Sequence, residues 1–155
     1  MKKSRTLKSM LRAFLALTGE QKKWFVQAWF KFLFWDWRIR HQSYAKWQDR
    51  VFVASKQADS PLPNGFVGVI EKAGRHHIRH MNCLRRCMVT MEMMQQQGIT
   101  PQLHFGVRRV DKKTQAHCWL TLNGELLNDG HEVIDTYTEL NAKKGDSTLL
   151  SAFLH

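Results

Sequence analysis

Three cysteines stand at positions 83, 87 and 118, and two of them fall four residues apart in HMNCLRRCMVTMEMMQQQG, residues 80–98. A thiol can be a nucleophile, a metal ligand or core filler, and its position separates these roles. A thiol attacks as thiolate, and its pKa falls at a helix N-terminus, where free backbone N–H groups favour negative charge. Asn82 is a good N-cap, which puts Cys83 in the first turn of a helix. Cys87 lies one turn deeper, on the apolar stripe Leu84, Cys87, Met88, Met91 and Met94, and Cys118 lies on the apolar face of a strand. Cys83 is therefore the candidate nucleophile, and Cys87 and Cys118 read as core thiols. The methionines from Met81 to Met94 read as core and gap filling.

A cysteine nucleophile needs a base, and the base needs an orienting acceptor. In AHCWLTL, residues 116–122, one strand face carries Ala116, Cys118, Leu120 and Leu122, and the other carries His117, Trp119 and Thr121. Asn123-Gly124 signals a tight hairpin into ELLND. Register then selects the acceptor. A two-residue loop at 123–124 pairs Trp119 with Asn128 and leaves Asn128 diagonal to His117 on the same face. A three-residue loop, 122–124, pairs His117 directly with Asp129. The residues alone leave both open. A helix-borne Cys, a strand His and an Asp or Asn on the neighbouring strand is the arrangement of papain-like and transglutaminase-like enzymes.

These residues need elements to hold them. Residues 4–17 place Leu7, Met10, Leu11, Phe14 and Leu15 on one helical face after a possible Ser4 cap. Thr18 and Gln21 have capping-box spacing for a second helix reaching about Arg40. SYAKWQDRVFVA reads as a third. SKQADSPLPNGF, residues 55–66, is the best linker, with two prolines and a glycine. It separates an N-terminal helical region, 1–54, from a second unit, 67–155. That unit has a short helix at 67–77, a longer one at 83–97 with Gly98 just past its end, and β-like runs at 102–110 and 116–122. The order is that of an α+β fold, with the nucleophile's helix packed on an antiparallel sheet.

Charge is uneven along the chain. The net +11 divides into +9 over residues 1–50, from twelve Lys or Arg against three acids, and +2 over the rest. The basic part also holds five of the six tryptophans, so an anionic partner suits it: nucleic acid, an acidic peptide or lipid headgroups. WFVQAWFKFLFWDW, residues 24–37, is too short to span a bilayer and contains Lys31 and Asp36, so it reads as a buried or interfacial helix. An odd cysteine count, with no secretory signal at the start, points to free thiols in a reducing cytoplasm.

Residues 76–140 resemble the B proteins of lasso peptide biosynthesis, leader peptidases with a transglutaminase-like cysteine protease domain. The resemblance is carried by NCLRRCMVTMEMMQQQGITPQLHFGVRR, AHCWLTLNGELLND and, less clearly, IDTYTEL. The basic, aromatic N-terminal helices resemble the short, split form of that protein, in which a separate small protein recognises the leader. In the family motif the catalytic Cys precedes Leu, the His lies two residues before Trp, and the Asp follows Asn. Those positions are Cys83, His117 and Asp129. Cys118 departs from the family, where Ala is more usual. It faces the core and is not expected to touch the chemistry. The resemblance implies removal of the leader from a ribosomally made precursor peptide, before a separate ATP-dependent lasso cyclase closes the ring, and it implies no cofactor.

Two other readings fit less of the chain. His76, His77, His80, Cys83 and Cys87 fall within twelve residues, but there is no C-x-x-C pair, and the adjacent His117 and Cys118 point to opposite strand faces, so no zinc site is expected. The three histidines read as solvated residues of a basic segment or a cleft rim. A small basic nucleic-acid-binding protein fits the charge, yet no helix-turn-helix glycine turn, RNA-binding sheet motif or zinc knuckle is present. No nucleic-acid partner is expected, and membrane association is not predicted.

Overall fold

The computed structural model describes residues 7–56, 61–144 and 153. Ser4, part of the predicted linker and most of the chain after 144 lie outside the described residues, as do the side chains of Leu7 and Met10. Helix α1 is Leu7–Leu15 and α2 is Gly19–His41. The capping box at the start of α2 is reciprocal. Thr18 Oγ1 accepts from the Gln21 backbone at 3.3 Å, and Gln21 Oε1 accepts from the Thr18 backbone at 3.2 Å. One face of α2, Phe25, Ala28, Phe32, Trp35, Asp36 and Ile39, is buried at helical spacing. It packs on α4, Phe66–Arg75, and α5, Cys83–Gln95. The opposite face exposes Val26, Phe30, Phe34 and Trp37. Among the described residues no helix is long and apolar enough to cross a membrane.

The predicted third helix breaks into a 3-10 turn, Tyr44–Lys46, and a single turn α3, Gln48–Val51. Between them Trp47 leaves helical geometry and inserts edge-on to Trp35, centroids 6.3 Å apart. Burying that indole outweighs continuing a mostly polar helix. Helix α5 buries the predicted stripe, Leu84, Cys87, Met88, Met91 and Met94, together with Val89 and Met93. Each fully buried large apolar side chain contributes about 1.5–3 kcal/mol relative to exposure.

Four antiparallel strands come next: β1 Gln102–Val110, β2 Lys113–Leu122, β3 Glu125–Leu126 and β4 Thr138–Leu140, in the spatial order β3-β2-β1-β4. A short helix α6, Glu132–Thr136, links β3 to β4. Strand β2 starts three residues before its predicted run. Lys113, Thr114 and Gln115 are exposed, so no in–out alternation marks them. One hydrophobic cluster runs from Leu17 on the N-terminal side through α2, α4 and α5 to the sheet and Phe153. The fold is α+β, with the start of α5 brought against β2.

The basic segment GRHHIRH departs from its expected exposure at one position. His77 is buried between Trp29 and Phe32, at centroid distances of 4.9 and 5.9 Å. Burial lowers its pKa. Its aromatic neighbours take a neutral imidazole as core filler.

Candidate active site

Cys83 is the first residue of α5. Asn82 has extended geometry, and its Oδ1 accepts from the Arg85 backbone N–H at 3.1 Å, which fixes where the helix begins. Its Nδ2 donates to the Phe153 carbonyl at 2.9 Å. The Cys83 thiol thus meets the positive end of the helix and is partly exposed, while Cys87 and Cys118 are buried.

His117 lies on β2 with Nε2 2.5 Å from Asp129 Oδ2. That leaves Nδ1 as the ring nitrogen that hydrogen-bonds the Cys83 thiol. Asp129 is itself held, since its Oδ1 accepts from the Gly130 N–H at 3.1 Å. Trp119 and Tyr137 flank the imidazole at centroid distances of 6.4 and 5.1 Å. Gly106 on β1 pairs with His117, and its lack of a side chain makes room for this stack. A Cβ there would lie 2.8 Å from the Trp119 ring and 3.0 Å from Tyr137 Cβ.

The hairpin answers the register question in a way neither simple alternative allows. The loop has two residues, Asn123 and Gly124, both left-handed at φ 54° and 83°, and Leu122 pairs with Glu125. Continued, that register would set Asn128 across from Trp119 and diagonal to His117. Strand β3 ends at Leu126 instead, and beyond it strand alternation no longer governs where side chains point. Asn128 turns back to the sheet. Its Oδ1 accepts from the Leu120 N–H at 2.9 Å, and its Nδ2 donates to Cys87 Sγ at 3.4 Å. Asp129 is then the residue presented to His117.

Cys118 is buried as expected, but it is not remote from the chemistry. Its thiol donates to Cys83, and its backbone adds a second hydrogen bond. Cys87 Sγ in turn donates to the Cys118 carbonyl at 3.5 Å. The contacts with Cys118 and His117 set the Cys83 pKa. The Cys118 thiol hydrogen bond lowers it most. Burial opposes, and His117 lowers it further through its hydrogen bond and its charge, bringing it to about 4. The His117 pKa is raised, chiefly by the hydrogen bond to Cys83 and then by Asp129, against the opposing effect of burial. Burial and the neighbouring sulfurs push Cys118 up, so it keeps its proton. Both shifts favour a thiolate beside an imidazolium.

Glu71 escaped the sequence reading. It is buried on α4, 3.2 Å from Arg86, and burial raises its pKa against the Arg86 charge. It also accepts a hydrogen bond from Asn128, so it backs the loop that carries Asp129. The signal was a carboxylate in an otherwise apolar register between Ile70 and Ala73. Among the described residues no group of three His, Cys, Asp or Glu side chains is placed to hold a metal ion.

No curated protein and no solved structure gives a significant match to the chain. A family model does: the transglutaminase-like superfamily matches residues 30–142, from the middle of α2 to just past β4. That span is well over half of the chain and contains Cys83, His117 and Asp129, and the protein belongs to the transglutaminase-like superfamily.

Proposed function

We propose that the protein is a cysteine peptidase with a Cys83-His117-Asp129 triad, and that it removes the leader from a ribosomally made lasso peptide precursor. The observation that carries the reading is the Cys83 thiol at the start of α5, hydrogen-bonded to an imidazole whose far nitrogen is 2.5 Å from a carboxylate. The Cys83 thiolate attacks the carbonyl at the leader–core junction and forms a tetrahedral intermediate. The Cys83 backbone N–H, free at the helix start, donates to the developing oxyanion. His117 gives its proton to the leaving amine, and the core peptide departs. A water molecule then attacks the thioester, with His117 taking its proton, and the leader leaves with a new carboxylate. Asp129 keeps the Nδ1 edge of the imidazole toward sulfur throughout.

The lasso assignment is supported by the motifs around Cys83, His117 and Asp129 and by the basic, aromatic helices ahead of them. On this reading a separate leader-recognition protein delivers the precursor, and an ATP-dependent cyclase takes the freed core. The test is to incubate the protein with a lasso precursor, with and without its leader-binding protein, and to look for two fragments by mass spectrometry. Cleavage at one bond, lost in Cys83→Ala, is expected. An intact precursor in the presence of the leader-binding protein would overturn the assignment.

A further inference from the structure

Asn82, the residue before Cys83, also lines a cavity of about 710 Å³ between the end of α2 and the start of α5, with Arg40, His41, Arg79, His80 and Arg85 around it. Three guanidinium groups converge there on one carboxylate. Asp36 accepts from Arg40 Nε at 3.0 and 3.1 Å, from Arg79 Nη1 at 2.9 Å and from Arg85 Nε at 2.8 Å. Asp36 is 2% exposed and Arg85 5%, so this pair is built into the protein, while Arg40 and Arg79 have half-exposed side chains. One guanidinium would neutralise the buried Asp36. The other two are in excess, and Asp36 is the only carboxylate ion-paired to any of the three among the described residues.

We propose that this cleft is a substrate subsite that binds a carboxylate side chain of the peptide within a few residues of the bond that Cys83 attacks. The inference rests on the peptidase reading for what the ligand is attached to. Each guanidinium has five N–H donors in a planar fork, and the contacts to Asp36 use only part of them. The remaining donors suit a planar carboxylate, which accepts two at once. Asp36 also holds the arginines in place before binding, so little side-chain freedom is lost when an anion arrives. Adjacent Cα atoms are about 3.8 Å apart, and an extended peptide advances about 3.3–3.6 Å per residue. A chain laid over Cys83 and Asn82 therefore brings a side chain to the cleft after a short run.

The test uses the full chain and two alkylating agents of similar size, anionic iodoacetate and neutral iodoacetamide. The ratio of their rates at Cys83 cancels changes in thiol reactivity and reads the local positive potential. Arg79→Gln and Arg40→Gln should each lower the ratio by about threefold or more at low salt, and Arg79→Lys should keep most of it. A blocked tripeptide with a central glutamate should protect Cys83 from iodoacetamide in the parent protein, and its glutamine counterpart should not. Equal protection by the two tripeptides, absence of protection, or a ratio unchanged by both Arg→Gln substitutions would overturn the subsite. Because alkylation needs only the thiolate, those results leave the peptidase reading standing. A Cys83 inert to iodoacetamide in the parent would instead remove the peptidase reading.

Discussion

His104 on β1 and His117 on β2 lie on either side of Trp119, and each is bound to a carboxylate. His104 stacks on Trp119 at 5.7 Å, nearly parallel, with Nδ1 2.6 Å from Glu139 Oε1. His117 stacks at 6.4 Å, with Nε2 2.5 Å from Asp129 Oδ2. The two differ at the second ring nitrogen. His104 Nε2 meets the Thr121 hydroxyl at 2.7 Å, in the middle of a strand, whereas His117 meets a thiol at the start of a helix. The carboxylates differ too, since the side chain of Glu139 is 58% exposed and that of Asp129 is 22% exposed. A histidine–acid pair is thus a recurrent solution to placing an imidazole on a sheet. In the proposed mechanism it becomes reactive only where a thiol of lowered pKa completes it.

The sharpest way to break this comparison is to remove the imidazoles and the thiol in turn. Cys83→Ala and His117→Ala should each abolish precursor cleavage, whereas His104→Ala should keep the rate within a few fold. Fragment formation by mass spectrometry reads all three. Comparable losses at both histidines in folded protein would mean that His104 has a role in the reaction.

The thiolate itself can be titrated. With its pKa lowered to about 4, Cys83 is ionised from mildly acidic pH upward, and the charged form is lost only as pH falls through that value. At pH 5.5 it should carry about a thousandfold more thiolate than an ordinary thiol of pKa about 8.5. Its iodoacetamide rate should therefore be level by about pH 6, where an ordinary thiol is still climbing. At the alkaline end the raised His117 pKa works in the opposite sense. Cleavage falls once the imidazolium that protonates the leaving amine gives up its proton, which yields a bell-shaped profile. An alkylation profile still rising steeply above pH 7 would contradict the ion pair.

Replacing the acids gives a smaller contrast. Asp129→Asn should slow single-turnover cleavage by about two orders of magnitude, through a misoriented imidazole without its counter-charge. Glu139→Gln should change it little. The mildest set separates chemistry from support. Asn128→Ala removes the acceptor for the buried Leu120 N–H and should cost about 1–3 kcal/mol in stability. Cys87→Ala should cost on the order of 1 kcal/mol while the thiolate titration of Cys83 is retained. Urea unfolding measures both. A large rate loss at Asn128 with near-normal Asp129→Asn would exchange their roles.

How far these features were legible depends on how local each one is. The N-terminus of α5 could be read from Asn82 and the apolar stripe behind it, because capping and helical period act within one or two turns. The capping box of α2 was legible for the same reason. The acid was not legible from register, because β3 stops after two residues and a side chain, not the ladder, steers the chain from Leu127 to Asp129. His104 was legible as a strand residue opposite Leu103 and Phe105 in alternation, but its partner Glu139 comes from a strand thirty-five residues later. Arg40 meets Asp36 one turn along α2, but the arrival of Arg79 and Arg85 at the same carboxylate is a tertiary event, and the sequence registers it only as charge. Trp47 and His77 were misread because each gives up a local preference to fill an aromatic core.

Asn128 has one more consequence, for how the sheet meets other chains. In a continued ladder the Leu127 carbonyl would take the Leu120 N–H, while the Leu127 N–H donates to the Leu120 carbonyl. The second bond is present at 3.0 Å, and the Asn128 side-chain oxygen substitutes for the first. A side chain thereby closes one backbone group that a foreign strand would otherwise pair with, and the Leu127 N–H closes the other. Beyond that point β2 has no second neighbour among the described residues, and its outer end carries exposed Lys113, Thr114 and Gln115. Charged and polar residues on such an edge discourage strand addition. The amide that steadies the site is therefore also a guard against edge-to-edge association at the point where the sheet would otherwise be most open.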